Sequence, residues 1–60
     1  MHQLIRKKAV LEKTALSNTS LYRLIAKGEF PKPIQLGTRA VAWVEDEIEE
    51  WIESRISASR

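Results

Sequence analysis

Residues 14–39 read T-A-L-S-N-T-S-L-Y-R-L-I-A-K-G-E-F-P-K-P-I-Q-L-G-T-R, a capped helix followed by a turn and a hairpin. Ser17 suits the cap position of a helix, where its hydroxyl can accept a hydrogen bond from the amide of Thr19 or Ser20. At about 100° per residue, Leu21, Leu24 and Ile25 gather on one side of that helix. Thr19, Arg23, Ala26 and Lys27 fall on the opposite side, with Ser20 and Tyr22 on the flanks. Gly28 stands where a left-handed terminating residue is wanted, and Pro31 follows soon after. The spacing predicts a helix over 18–27.

Beyond the rigid Phe30-Pro31-Lys32-Pro33 segment, large side chains alternate with small or polar ones on both sides of Gly37-Thr38-Arg39. That pattern predicts a hairpin over 34–43 with Arg39 at its tip, and with Ile34, Leu36, Val41 and Trp43 on its buried face. Toward the amino terminus, Leu4-Ile5 is a short apolar pair, a stub of strand. Residues 6–13 read as a first helix with Ala9 and Val10 inward and Leu11 on a flank. No Ser, Thr, Asp or Asn precedes that helix as a cap. On the carboxyl side, 45–56 reads as a third helix with Val44, Ile48, Trp51, Ile52 and Ile56 along its apolar stripe. Glu45, Asp46 and Glu47 suit the positive end of its dipole, and Ser57 to Arg60 are expected to fray.

Sixty residues with 43% hydrophobic side chains suit one small domain over 1–60 with a thin core. The absence of cysteine excludes disulfides and thiolate metal sites, and fits a reducing cytoplasm. No apolar run approaches the ~18 residues that span a bilayer, and no secretory signal pattern opens the chain, so no membrane partner is expected. The sole histidine is His2, near the terminus, and the carboxylates cluster on one predicted helix. Neither a nucleophile–histidine pair nor converging metal ligands can be assembled, so no enzyme, cofactor or metal is expected.

The net charge of +2 conceals a division. Residues 1–39 carry eight basic and two acidic side chains, a net of +6, whereas residues 40–60 carry two basic and six acidic ones, a net of −4. A polyanion is drawn to the first segment and repelled by the second. The acidic residues also serve as the solvated face of the third helix.

These features suggest double-stranded DNA as a partner, beside the plainer reading that Ser17 to Ser20 only cap the helix, that Arg23 and Lys27 keep it soluble and that the hairpin merely closes the core. An α-helix fits the major groove, where short polar side chains and Arg near its amino end read base edges. Asn18, Thr19 and Ser20 occupy that end, and Arg23 lies one turn on, within reach of a guanine edge or a phosphate. Tyr22 has a hydroxyl to donate to the backbone, and Lys27 a charge for a phosphate at the far end. Thr38 and Arg39 project from the hairpin tip, where Arg favours the negative potential of a minor groove. Lys32, between two prolines, has little conformational freedom to lose on meeting a phosphate. Arg6, Lys7 and Lys8 suit phosphate contact and plain solvation equally. Trp43 and Trp51 lie on the apolar periodicities and read as core rather than as base stackers.

With those residues named, the chain resembles the AlpA-type prophage regulators, a branch of the MerR-like and excisionase-like winged-helix DNA-binding proteins. The resemblance spans Leu4 to about Arg55. It is carried by L-S-x-x-[ST]-L-Y-R-L-I at Leu16 to Ile25, G-x-F-P-K-P at Gly28 to Pro33, L-G-x-R-A-V-x-W at Leu36 to Trp43 and E-I-x-x-W-I at Glu47 to Ile52. It implies a small α+β fold, a winged helix-turn-helix of three helices and a two-stranded wing hairpin. It implies transcriptional regulation of phage genes, or action as a recombination directionality factor. Thr19, Ser20, Tyr22 and Arg23 would form the recognition surface, with Arg39 at the wing, and the protein would be nucleoid-associated when bound. Two positions depart from the pattern. Asn18-Thr19 stands where a basic residue and a serine are common, so base preference does not transfer. Ala15 stands where Gly is usual in the tight turn, which bears on the first inter-helix angle.

A module this small is expected to bury under about 1,000 Å² of surface on DNA, so further copies along the DNA are candidate partners. A recombinase or the transcription machinery are others. An alternative of another class is a protein-binding inhibitor or recruiter that acts through the acidic third helix.

Overall fold

The computed structural model describes residues 2–60, in the order β1 (Leu4–Ile5), α1 (Lys7–Thr14), α2 (Asn18–Ala26), β2 (Ile34–Gln35), β3 (Val41–Val44) and α3 (Glu45–Ser59). Arg6 occupies the cap position of α1 without a side-chain capping bond, in line with the missing cap residue. Ser17 caps α2, accepting a 3.2 Å hydrogen bond from the amide of Ser20. At the other end the Glu29 amide donates to the Leu24 carbonyl (2.9 Å) and the Gly28 amide to that of Ile25 (3.0 Å). With Gly28 at φ +73°, this is the Schellman arrangement, which satisfies the last free carbonyls of the helix.

Between α1 and α2, Ala15 takes φ 59°, ψ 24°. The turn therefore keeps a left-handed residue although the side chain is alanine, at a steric cost that glycine would not incur.

The sheet contains the expected hairpin and extends it by one strand. The strand order is β1-β3-β2, all antiparallel, so β3 is the central strand and the Leu4-Ile5 stub completes a three-stranded sheet. The amide of Glu45 also donates to the Gln3 carbonyl at 2.7 Å, fastening β1 to the start of α3.

Register overturns part of the predicted buried face. Ile34 pairs with Ala42 and Gln35 with Val41, while Ile5 pairs with Trp43. Paired residues share a face, and faces alternate along a strand. Ile34 therefore lies on the face opposite Trp43, and it is 41% exposed; Leu36, beyond the end of β2, is 51% exposed. Ile5 and Val41, on the Trp43 face, pack against the core.

That core consists of Val10, Leu21, Phe30, Trp43 and Ile48, one or more from every helix and from the central strand. Leu11, Leu16, Leu24, Ile25, Trp51 and Ile52 pack around it. Both tryptophans belong to this body. The indole N–H of Trp43 donates to the Pro31 carbonyl (3.0 Å) and that of Trp51 to the Glu29 carbonyl (2.8 Å). Phe30 meets Trp51 edge-on with ring centroids 4.8 Å apart. The Glu29–Pro31 strap is thus held by two indoles and one buried ring.

Two expectations for α3 are corrected. Ile56 is 41% exposed and lies outside the core, more than two turns beyond Ile48. The expected frayed tail is helical to Ser59, where no Gly or Pro interrupts it and the Ser59 hydroxyl donates to the Arg55 carbonyl at 2.9 Å. At the surface, the Lys13 ammonium of α1 bridges Glu45 (3.5 Å) and Glu49 of α3. The whole is a small α+β fold of three helices and a three-stranded antiparallel sheet, compatible with a winged helix-turn-helix.

Candidate nucleic-acid interface

α2 exposes what the periodicity assigns to its outer side, Thr19, Arg23, Ala26 and, at its carboxyl cap, Lys27; Asn18, its first residue, is exposed as well. Ser20 differs. It is half-buried, and both its amide and its hydroxyl are engaged with the Ser17 side chain, at 3.2 Å and 3.0 Å. Capping is therefore the first role of Ser20, which leaves Asn18, Thr19 and Arg23 as the freer side chains of that end. The amides of the first turn add partial positive charge where an anion or a base edge would approach.

The wing tip is a tight loop. Both the Leu36 and Gly37 amides donate to the Ala40 carbonyl, at 2.7 Å and 3.2 Å. The Gln35 side-chain amide donates to the Gly37 carbonyl at 2.7 Å. Thr38 and Arg39 are exposed between these closures.

The wing tip and α2 meet at a depression of about 400 Å³, lined by Arg6, Lys7, Lys8, Tyr22, Arg39 and Val41. Tyr22 is 47% exposed, and the Lys7 ammonium stands 5.5 Å from its ring centroid. A cation over a phenol face at that distance is attracted to the ring and restricts its position. The structure thus brings Tyr22 and Arg39 together and adds Arg6, Lys7 and Lys8 from the start of α1, which composition alone left between two roles. Nothing in the spacing of Arg6, Tyr22 and Arg39 along the chain signals their convergence; the +6 balance of residues 1–39 is the only trace of it.

Lys32 is elsewhere. It lines a second, larger groove of about 700 Å³ with Pro31, Pro33, Ile34, Glu47, Glu50, Trp51 and Ser54. Two carboxylates share that groove, so the potential around Lys32 suits a phosphate less than the potential around Arg39. Among the described residues, no group of three or more His, Asp or Glu side chains is placed to hold a metal ion. No helix among them is long and apolar enough to cross a membrane.

The family model described as "Prophage CP4-57 regulatory protein (AlpA)" matches residues 3–56. The chain is similar to the uncharacterized protein ORF88 of Enterobacteria phage P4, 38% identical over 56 residues, which is 93% of this chain and 64% of that protein. It is also similar to the DNA-binding transcriptional activator AlpA of Escherichia coli, 32% identical over 59 residues, covering 88% of this chain and 84% of that protein. The chain thus spans just under two thirds of the length of the phage P4 relative. With a match that runs from β1 into α3, the chain belongs to the AlpA family of prophage regulatory proteins.

Proposed function

We propose that the protein is a sequence-specific, double-stranded DNA-binding regulator of transcription of the prophage type, acting by binding rather than by catalysis. The observation that carries this reading is the convergence of Tyr22 on α2, Arg39 on the wing and Arg6, Lys7 and Lys8 at the start of α1 at one depression. The similarity to a DNA-binding transcriptional activator supports it. In this reading α2 enters the major groove, and Asn18, Thr19 and Arg23 address base edges. Lys27 and the wing, with Thr38 and Arg39, address the backbone or the adjacent minor groove and provide affinity that falls steeply with salt. Two or more copies along the DNA extend the site.

A salt titration on random and genomic duplexes, joined to genome-wide footprinting, tests the proposal. Binding whose affinity falls steeply with salt and whose footprints lie at promoters supports it. Footprints clustered at an attachment locus would instead mark a recombination directionality factor working through the same surface. Absence of duplex binding even at low salt would overturn it in favour of a protein-binding role. The groove between Pro33, Ile34 and Trp51, edged by Glu47 and Glu50, is the observation that favours such a role.

A further inference from the structure

The depression between α1, α2 and the wing gathers Arg6, Lys7, Lys8 and Arg39 with the Tyr22 phenol, and no carboxylate lines it. None of these four cations takes part in an ion pair among the described residues; the pairs found there involve His2, Lys13 and Arg55. Like charges brought together from two separate elements, the start of α1 and the wing, repel one another, and the fold holds them there with no carboxylate in the lining. An anion with several acceptor oxygens relieves that repulsion and accepts from guanidinium, ammonium and phenol donors together.

We propose that this depression seats one backbone phosphate of the bound duplex, on the strand that separates the groove entered by α2 from the groove reached by the wing. The proposal rests on the DNA-binding reading and deepens it. A major groove and its neighbouring minor groove are divided by a sugar-phosphate strand, so a hollow between a recognition helix and a wing tip lies over that strand. Val41 supplies an apolar wall, which lowers the local dielectric and strengthens charge-assisted hydrogen bonds. Lys7, 5.5 Å from the Tyr22 ring centroid, acts as a positioning residue for the phenol as well as a counter-charge. Tyr22 and Arg39 then act on the backbone and carry affinity, and base discrimination falls to Asn18, Thr19 and Arg23. The start of α1 becomes a third point of attachment besides α2 and the wing.

A footprinted duplex carrying a single neutral methylphosphonate, moved one position at a time, tests the seat. For each bound copy, neutralising one position should weaken wild-type binding about tenfold or more, the scale of one lost charge-assisted contact. Tyr22→Phe and Lys8→Gln should each weaken binding to the native duplex and have no further effect on the duplex neutralised at that position. Both variants keep the core side chains, and circular dichroism verifies their fold. If the protein binds the duplex but Tyr22→Phe and Lys8→Gln lose affinity equally at every methylphosphonate position, the seat is overturned and the DNA-binding reading stands. If wild-type protein binds no duplex at low salt, both fall.

Discussion

The indole N–H of Trp43, in the middle of the central strand, donates a 3.0 Å hydrogen bond to the carbonyl of Pro31, twelve residues earlier. Trp43 is fully buried, so one side chain both fills the core and fixes the strap that delivers the chain from α2 to β2. The wing's position relative to α2 depends on that strap. Trp43→Phe keeps an aromatic ring but removes the donor and leaves a void in the core that Trp43 shares with Val10, Leu21, Phe30 and Ile48. The expected cost is about 2–3 kcal/mol, from the lost bond and the incompletely filled volume. For a domain of this size that corresponds to a fall of roughly 10–20 °C in Tm, measurable by thermal denaturation. A loss below about 1 kcal/mol would show that strap and core are not coupled through this residue.

Ala15 is the one non-glycine residue with positive φ among the described residues. Ala15→Gly removes the Cβ strain of the left-handed region but adds freedom to the unfolded chain, two effects of opposite sign. The first is the larger, so the variant should be more stable by about 0.5–1 kcal/mol, a rise of several degrees in Tm. Urea denaturation at unchanged m-value would verify it, and a lowered midpoint would refute it.

Lys13 links α1 to α3 through Glu45 and Glu49, and its pKa is raised above the ordinary 10.5, chiefly by the hydrogen bond to Glu49 and further by the charges of Glu49 and Glu45. A raised folded-state pKa means that the folded chain holds this proton more tightly than the unfolded one. The resulting stabilisation is fully present below the ordinary lysine value and is lost as pH rises through the folded value. The Tm difference between wild type and Lys13→Met should therefore be constant through neutral and mildly alkaline pH and shrink above about pH 10. Added salt should also reduce it, because the pair is at the surface. A difference independent of both pH and salt would assign the effect of Lys13 to its methylenes instead.

Arg23 and Lys32 are expected to separate on DNA. Arg23→Ala should relax sequence preference by about 1–3 kcal/mol at one base pair while sparing binding to random duplex. Lys32, beside Glu47 and Glu50, should contribute little: Lys32→Ala should leave the salt slope within a few tenths, whereas Lys27→Ala should shallow it by about one. Quantitative titrations at several salt concentrations distinguish these outcomes. A Lys32→Ala slope that falls by a full unit would place the proline strap on the backbone.

The helices were legible because their signals are local. Ser17, Gly28 and the Leu21-Leu24-Ile25 spacing act within a few residues, and α2 forms where they dictate. The wing was legible in outline only. Alternation along 34–43 shows that two strands exist, but their mutual register depends on which carbonyl the turn amides choose, and here both Leu36 and Gly37 choose Ala40. That choice turns Ile34 away from Trp43, a consequence that no pattern within either strand records. The helical tail has a similar origin, since the Ser59 hydroxyl donates to the Arg55 carbonyl one turn back, a bond that composition does not record.

From spacing and composition alone follow the set of elements, the capped second helix, the inward packing of Trp43 and Trp51, and a basic segment joined to an acidic one. Those signals, capping included, act over one or two turns of chain. Only the tertiary structure decided that Arg6, Lys7, Lys8, Tyr22 and Arg39 share one hollow while Lys32 stands apart beside two carboxylates. Arg6 and Arg39 are 33 residues apart in the chain, and no local preference acts over that distance. They are neighbours because the core packs α1 and α2 against the sheet whose central strand carries the wing.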